Sequence, residues 1–92
     1  MDLEALPGGA VIRQGLSDLA AGKASNEALL VTIGGPRLRR LGFTLPDAVT
    51  VNPERDLYDR LAADGSDAAH SRYNALIRLL VSFERAAESG AR

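Results

Sequence analysis

The longest helical pattern of the chain covers residues 66–88, SDAAHSRYNALIRLLVSFERAAE. Ser66 or Asp67 is placed to cap its first turn, and apolar side chains recur every three or four residues, as in an amphipathic helix. At 100° per residue the apolar arc extends to Leu79 on one side and to Val81 on the other, which is broad for so small a protein. The pattern predicts the central, or hub, helix of an all-α fold. Its apolar positions are Ala69, Tyr73, Leu76, Ile77, Leu80, Phe83 and Ala87.

Three shorter helical patterns open the chain. Glycine ends them, because glycine adopts the left-handed conformation that closes a helix without a steric clash. Ser25 or Asn26 is placed to cap the second pattern, with Glu27 in its first turn. The patterns are residues 10–21, 26–33 and 37–41, which end at Gly22, at Gly34-Gly35-Pro36 and at Gly42.

A fourth pattern begins at Asn52-Pro53-Glu54 and ends at Gly65. Its start combines an N-cap side chain, proline at the first helical position and an acid in the first turn. The sequence therefore predicts a small all-α bundle of four to five helices, with a long C-terminal hub helix. We expect a single domain, 1–92, whose ends at 1–6 and 89–92 fray.

Residues 42–51 interrupt the helical patterns. Apolar and polar side chains alternate there around Pro46, which is compatible with a tiny hairpin or with an extended loop. The apolar runs are shorter than a typical strand, and an isolated two-stranded hairpin is marginal in water. We therefore expect one extended loop, pinned to the core by Phe43, Leu45, Val49 and Val51.

The composition limits the classes of function. A net charge of -1 over 92 residues provides no overall attraction to nucleic acid or to an anionic membrane. The sequence has no cysteine, which excludes disulfides, thiolate metal ligands and thiol nucleophiles. No apolar run approaches the length of a membrane span, and the acidic N-terminus does not resemble a signal peptide. We expect a cytoplasmic protein with no membrane contact, and the excess of arginine over lysine favours a bacterial source.

His70 is the natural candidate for acid–base chemistry, since histidine titrates near neutral pH without assistance. Asp67 lies three residues before it and Asn74 four after it, so both can orient its ring on a helix. Ser71 points about 100° away around the helix, so no pair of base and nucleophile follows. Asp67 and His70 also imitate one ligand pair of a di-iron bundle, but a full site needs that pair twice. We expect a locally bonded histidine, and neither metal, cofactor nor catalytic activity.

Arginines in and near the third helical pattern suggest a different function. Arg37, Arg39 and Arg40 follow a glycine break whose free amides favour phosphate, and Arg78 and Arg85 could extend the basic surface. The helix is short for a recognition helix, and no aromatic platform accompanies the arginines. Pairing of these arginines with acids of the fourth helix is a simple alternative. Binding of nucleic acid or of a phosphorylated ligand is therefore the second hypothesis.

The broad apolar arc of the hub helix provides the first hypothesis. If the other helices cover only part of it, the remainder forms an exposed patch of the kind that marks self-association or docking. A fully buried hub in a monomer is an equally simple interpretation. We predict a non-catalytic interaction or regulatory domain, a homodimer or a protein-binding module, with an interface formed by Leu79, Val81 and Phe83.

Overall fold

The computed structural model describes residues 3–48 and 50–90. Within these ranges the chain forms a 3-10 helix, Leu3–Ala5, followed by five α-helices and no strand. The all-α bundle with a long C-terminal helix is confirmed. The helices are α1 (Gly9–Ala20), α2 (Asn26–Ile33), α3 (Gly35–Arg40), α4 (Pro53–Ala63) and α5 (Ser66–Gly90).

The connection between α1 and α2 follows the sequence pattern. Gly22 has φ +74°, and its N–H donates to the carbonyl oxygen of Leu19 at 3.0 Å. This bond satisfies a carbonyl that the helix end would otherwise leave without a partner. Ser25 then caps α2, since its Oγ accepts a hydrogen bond from the N–H of Ala28 at 3.1 Å. The same hydroxyl donates to the carboxylate of Asp18 at 2.6 Å, which ties the cap to α1.

The core lies around α2, which packs against α1, α3, α4 and α5. Four consecutive residues of α2 are buried, from Ala28 to Val31, so this helix has neighbours on every side. It shares the centre of the bundle with α5, which packs against α4 and α2. The other helices contribute Ile12, Leu19, Leu38, Leu57, Leu61, Ala69, Leu80, Phe83 and Ala87 to the core.

A glycine permits the closest approach between α1 and α2. A Cβ atom built on Gly15 would overlap the carbonyl oxygen of Glu27 and lie 2.5 Å from Cγ2 of Val31. Any other residue at this position would push the two helices apart, because part of the obstruction is backbone. The two helices therefore pack against each other almost backbone to backbone at Gly15.

The chain between α3 and α4 is the extended loop that the sequence predicts. The N–H of Phe43 donates to the carbonyl oxygen of Leu38 at 3.0 Å, and its ring lies against Phe83 of α5 with centroids 5.7 Å apart. Leu45 is half-buried and also packs against the core. Val51 does not pack against the core as predicted, since it is 94% exposed. Val49 lies outside the described residues.

The start of α4 differs from the predicted cap. Pro53 occupies the first turn as expected, but the side chain of Asn52 makes no cap hydrogen bond. The side-chain hydrogen bonds at this helix start come from Thr50 instead. Its Oγ1 donates to the carboxylate of Asp56 at 2.6 Å and accepts from the N–H of Asn52 at 3.2 Å. This hydroxyl fixes the end of the loop on the first turn of α4.

The two ends of the chain are helical as far as they are described. Leu3 and Leu6 pack against the core next to the 3-10 helix, and α5 continues to Gly90. The predicted fraying also concerns residues 1, 2, 91 and 92, which lie outside the described residues. In the described ranges no helix is long and apolar enough to cross a membrane.

Candidate interaction surface

Phe83, one of the three residues predicted to form an interface, belongs to the core. It is 0% exposed, and its ring is covered by Phe43 from the loop. The apolar arc of α5 predicted that Phe83 faces other helices, but sequence periodicity could not distinguish a neighbour in the same chain from a partner. No partner can reach this side chain while the bundle is folded.

Leu79 and Val81, the other two, do not form one patch. Two residues span 200° of an α-helix, so their side chains leave α5 on opposite flanks of the buried strip. Leu79 packs under the turn before α1, where a Cβ atom on Gly8 would lie 2.8 Å from its Cγ. Val81 is half-buried. Neither counts among the exposed large apolar side chains of the described residues.

Val51 is the most exposed large apolar side chain in the part of the chain that the structure describes. Tyr58 of α4 follows at 37%, with its ring 5.7 Å from that of Tyr73. Val51 lies at the rim of a groove of about 330 Å³. Clefts lined by apolar side chains with a few polar groups are where proteins most often bind partners and ligands, so the groove is the candidate surface of this chain.

The groove lies between two sides of different origin. Residues of α2 and α3 form one side, residues of the extended loop and of the first turn of α4 form the other, and Leu19 of α1 also lines the groove. Aliphatic side chains and prolines dominate, and threonines add hydroxyl groups. The apolar lining consists of Leu19, Ile33, Pro36, Leu45, Pro46, Ala48, Val51 and Pro53.

The charged residues of the groove, Arg39 and Glu54, have opposite signs and come from opposite sides. The guanidinium of Arg39 lies over Gly35, where a built Cβ atom would be 3.3 Å from its Nη1 and 3.7 Å from Cδ2 of Leu45. Glu54 stands in the first turn of α4. Both side chains are exposed, and neither forms an ion pair with another described residue. The groove therefore combines apolar walls with one cation and one anion that have no partner among the described residues.

The arginines of α3 do not act as one basic cluster. Arg37 is engaged by α5, with its Nη2 2.9 Å from Oε2 of Glu88 and its Nη1 3.9 Å from Oε1 of Glu84. Arg40 lies in a second depression beside Arg37 and Glu88. Arg39 faces the first groove instead. Arg37 thus pairs with acids of α5 rather than with the acids of the fourth helix.

The arginines of α5 point away from the bundle. The Nε of Arg78 donates to the carbonyl oxygen of Asn74 at 3.4 Å. Arg85 lies two turns further along the same face, opposite the buried side chains of Leu80 and Ala87. Arg78 and Arg85 are therefore on a different face of α5 from Glu84, which contacts α3.

Glu84 is a buried carboxylate that the sequence analysis did not identify. It is 5% exposed and lies where α2 meets α3, so that a Cβ atom on Gly34 would be 3.3 Å from its Oε2. Burial raises the pKa of Glu84, and the guanidinium groups of Arg37 and Arg40 lower it in part. Its place directly after Phe83, at the edge of the apolar arc, was the signal that could have revealed it.

The predicted polar site around His70 is open to solvent. The Nε2 of His70 lies 3.2 Å from Nδ2 of Asn74, which is the expected local contact. Asp67 is exposed and makes no hydrogen bond to the ring. Among the described residues no group of three or more potential ligands could hold a metal ion. The His70 ring is therefore oriented by Asn74 alone among the two predicted neighbours.

Searches of protein-family models, of curated proteins and of solved structures found no match to this chain.

Proposed function

We propose that this protein is a non-catalytic interaction domain that self-associates as a homodimer. The observation that carries the proposal is the 94% exposure of Val51 at the rim of a groove of mixed polarity. Removing a valine side chain from water stabilises a complex by roughly 1.5–3 kcal/mol. Val51 contributes almost no burial to the bundle, so this stabilisation is available to a partner.

The position of Val51 supports association rather than loose packing of the loop. Phe43 anchors one end of the loop on Phe83, and the hydroxyl of Thr50 anchors the other end on Asp56. Val51 therefore follows directly after Thr50, the residue that holds the end of the loop on α4. A side chain presented in this way loses little conformational freedom when a partner covers it.

The test is the solution mass measured by light scattering over a wide concentration series. We expect a mass that rises toward twice that of one chain, with little change in high salt, because burial of apolar surface is only weakly screened. Leu79→Glu and Val81→Glu, made at the flanks of α5, should leave association unchanged in any variant that folds. The mass of a single chain at every concentration would refute self-association.

Binding of nucleic acid or of a phosphorylated ligand has weaker support in the geometry. Arg37 already pairs with two glutamates, and Arg78 and Arg85 lie on the outward face of α5. Among the described arginines of α3, Arg40 lies beside the second depression and Arg39 beside the groove, and neither forms an ion pair. This function predicts an affinity for oligonucleotides that falls steeply with added salt and that Arg40→Gln weakens.

A cytoplasmic location and a bacterial source stay predictions from composition. The cysteine-free sequence and the excess of arginine over lysine support them. Cell fractionation with a tagged chain measures the location directly.

A further inference from the structure

We infer that two copies of this chain associate about a two-fold axis along the groove, with Arg39 of each copy facing Glu54 of the other. The inference rests on the proposed self-association and adds the surface and its geometry. A two-fold interface requires a patch that is complementary to itself, because the same residues are contributed from both sides. The groove meets this requirement in shape and in charge.

Shape complementarity comes from Val51 and the groove it borders. The valine projects from the side formed by the loop and α4, and the apolar lining on the side of α2 and α3 includes Ile33 and Pro36. A two-fold axis along the groove places the loop side of one copy opposite the α3 side of the other. Each Val51 then packs against the aliphatic residues of its partner, and both valines leave water together.

Charge complementarity follows from the same axis. Arg39 lies on the α3 side and Glu54 on the α4 side, so the axis brings each arginine opposite the glutamate of the second copy. Within one chain the two residues form no ion pair. Charged pairs at the rim of an interface contribute modestly to affinity but fix its register. An unrelated partner would need to supply the reverse pattern of charges, whereas a second copy already has it.

The first experiment measures the dimer dissociation constant by analytical ultracentrifugation. Val51→Asp should raise it about a hundredfold or more, because two buried valines become two carboxylates that lose water. Ala75→Asp is the matched control: it adds the same charge on the exposed outward face of α5 and should leave the constant unchanged. Circular dichroism verifies that both variants fold, which we expect because both positions are exposed.

A charge exchange tests the two-fold pairing. Arg39→Glu and Glu54→Arg should each raise the dissociation constant about tenfold, because each replaces two opposite-charge contacts with two like-charge contacts. The double variant should return the constant to near that of the wild type. A dimer that Val51→Asp weakens but that the double variant does not restore would refute the pairing.

Cysteine crosslinking tests the axis independently, because the chain has no cysteine of its own. A mixture of Arg39→Cys and Glu54→Cys chains, treated with a short bismaleimide, should give covalent dimers. Either variant alone should not, because the axis separates the two copies of position 39 and the two copies of position 54.

The outcomes separate this inference from the proposed function. A wild-type monomer at every concentration overturns both. A wild-type dimer whose dissociation constant Val51→Asp leaves unchanged overturns the two-fold groove interface and leaves self-association standing. Crosslinking of either cysteine variant alone has the same consequence.

Discussion

Gly15→Ala isolates the contact between the backbones of α1 and α2. Helix propensity alone favours alanine over glycine in a helix interior by about 1 kcal/mol. In the bundle, the new methyl group would overlap the carbonyl oxygen of Glu27 and lie 2.5 Å from Cγ2 of Val31. A flexible side chain could turn away from such a contact, but the peptide group of α2 cannot. The helices must separate, and the packing around Gly15 must loosen.

The expected net effect is a loss of stability. Overpacking of a core by one methyl group costs roughly 1–3 kcal/mol, and the upper end applies where backbone must move. After subtraction of the propensity gain, Gly15→Ala should lower the free energy of unfolding by about 2 kcal/mol. For a domain of this size such a loss corresponds to a fall in Tm of roughly 8–16 °C.

The assay is urea and thermal unfolding followed by far-UV circular dichroism. It should be carried out at one protein concentration in the Val51→Asp background, because dimerisation would add a concentration-dependent term to the stability. Ser17→Ala is the control, since it introduces the same residue at an exposed position of the same helix and should be neutral or slightly stabilising. A Gly15→Ala variant as stable as the wild type would mean that the helices do not approach as closely as described.

Three further substitutions test the core and the helix ends. Burial raises the pKa of Glu84 above its ordinary 4.5, so its charge destabilises the fold at neutral pH and this penalty disappears as pH falls through the raised pKa. Glu84→Gln should therefore raise the free energy of unfolding at neutral pH, and in urea titrations it should remove the pH dependence that Glu84 contributes between pH 4.5 and its raised pKa. Ser25→Ala should cost about 1 kcal/mol through loss of the cap, and NMR titration should show the lowered pKa of Asp18 rise, because the Ser25 hydroxyl is its largest cause. Phe83→Ala should cost about 3–5 kcal/mol in the monomeric background, whereas an interface residue would leave monomer stability unchanged.

Local signals made most of the helices predictable. Gly22 and Ser25 act through neighbours within a few residues, so the end of α1 and the start of α2 follow from the sequence. The prediction that the side chain of Asn52 caps α4 was wrong, although it also rested on a local signal. Asn52 and Thr50 both carry suitable oxygens, and the choice between them depends on the path of the loop rather than on residue type.

The central position of α2 was harder to predict, because an eight-residue helix with four consecutive buried residues has little periodicity. Such a run indicates burial without indicating which helices surround it. The arc of α5 has the opposite property: its periodicity is clear, but its exposure depends on distant segments. The turn at Gly8 covers Leu79, and Phe43 covers Phe83.

The groove depends on the same glycine break that the sequence analysis interpreted as an interruption between two helices. Gly34 lets α5 approach, since a Cβ atom there would lie 2.8 Å from Cδ1 of Leu80. Gly35 leaves room for the guanidinium of Arg39 and for Leu45, since a Cβ atom there would lie 3.3 Å from Nη1 of Arg39 and 3.7 Å from Cδ2 of Leu45. A break in the helical pattern is visible in sequence, but the room that it leaves for an arginine is a property of the folded chain. This is why the sequence could only place Arg39 in a group of arginines that form a possible anion site, as the second hypothesis, whereas the folded chain places it in the groove.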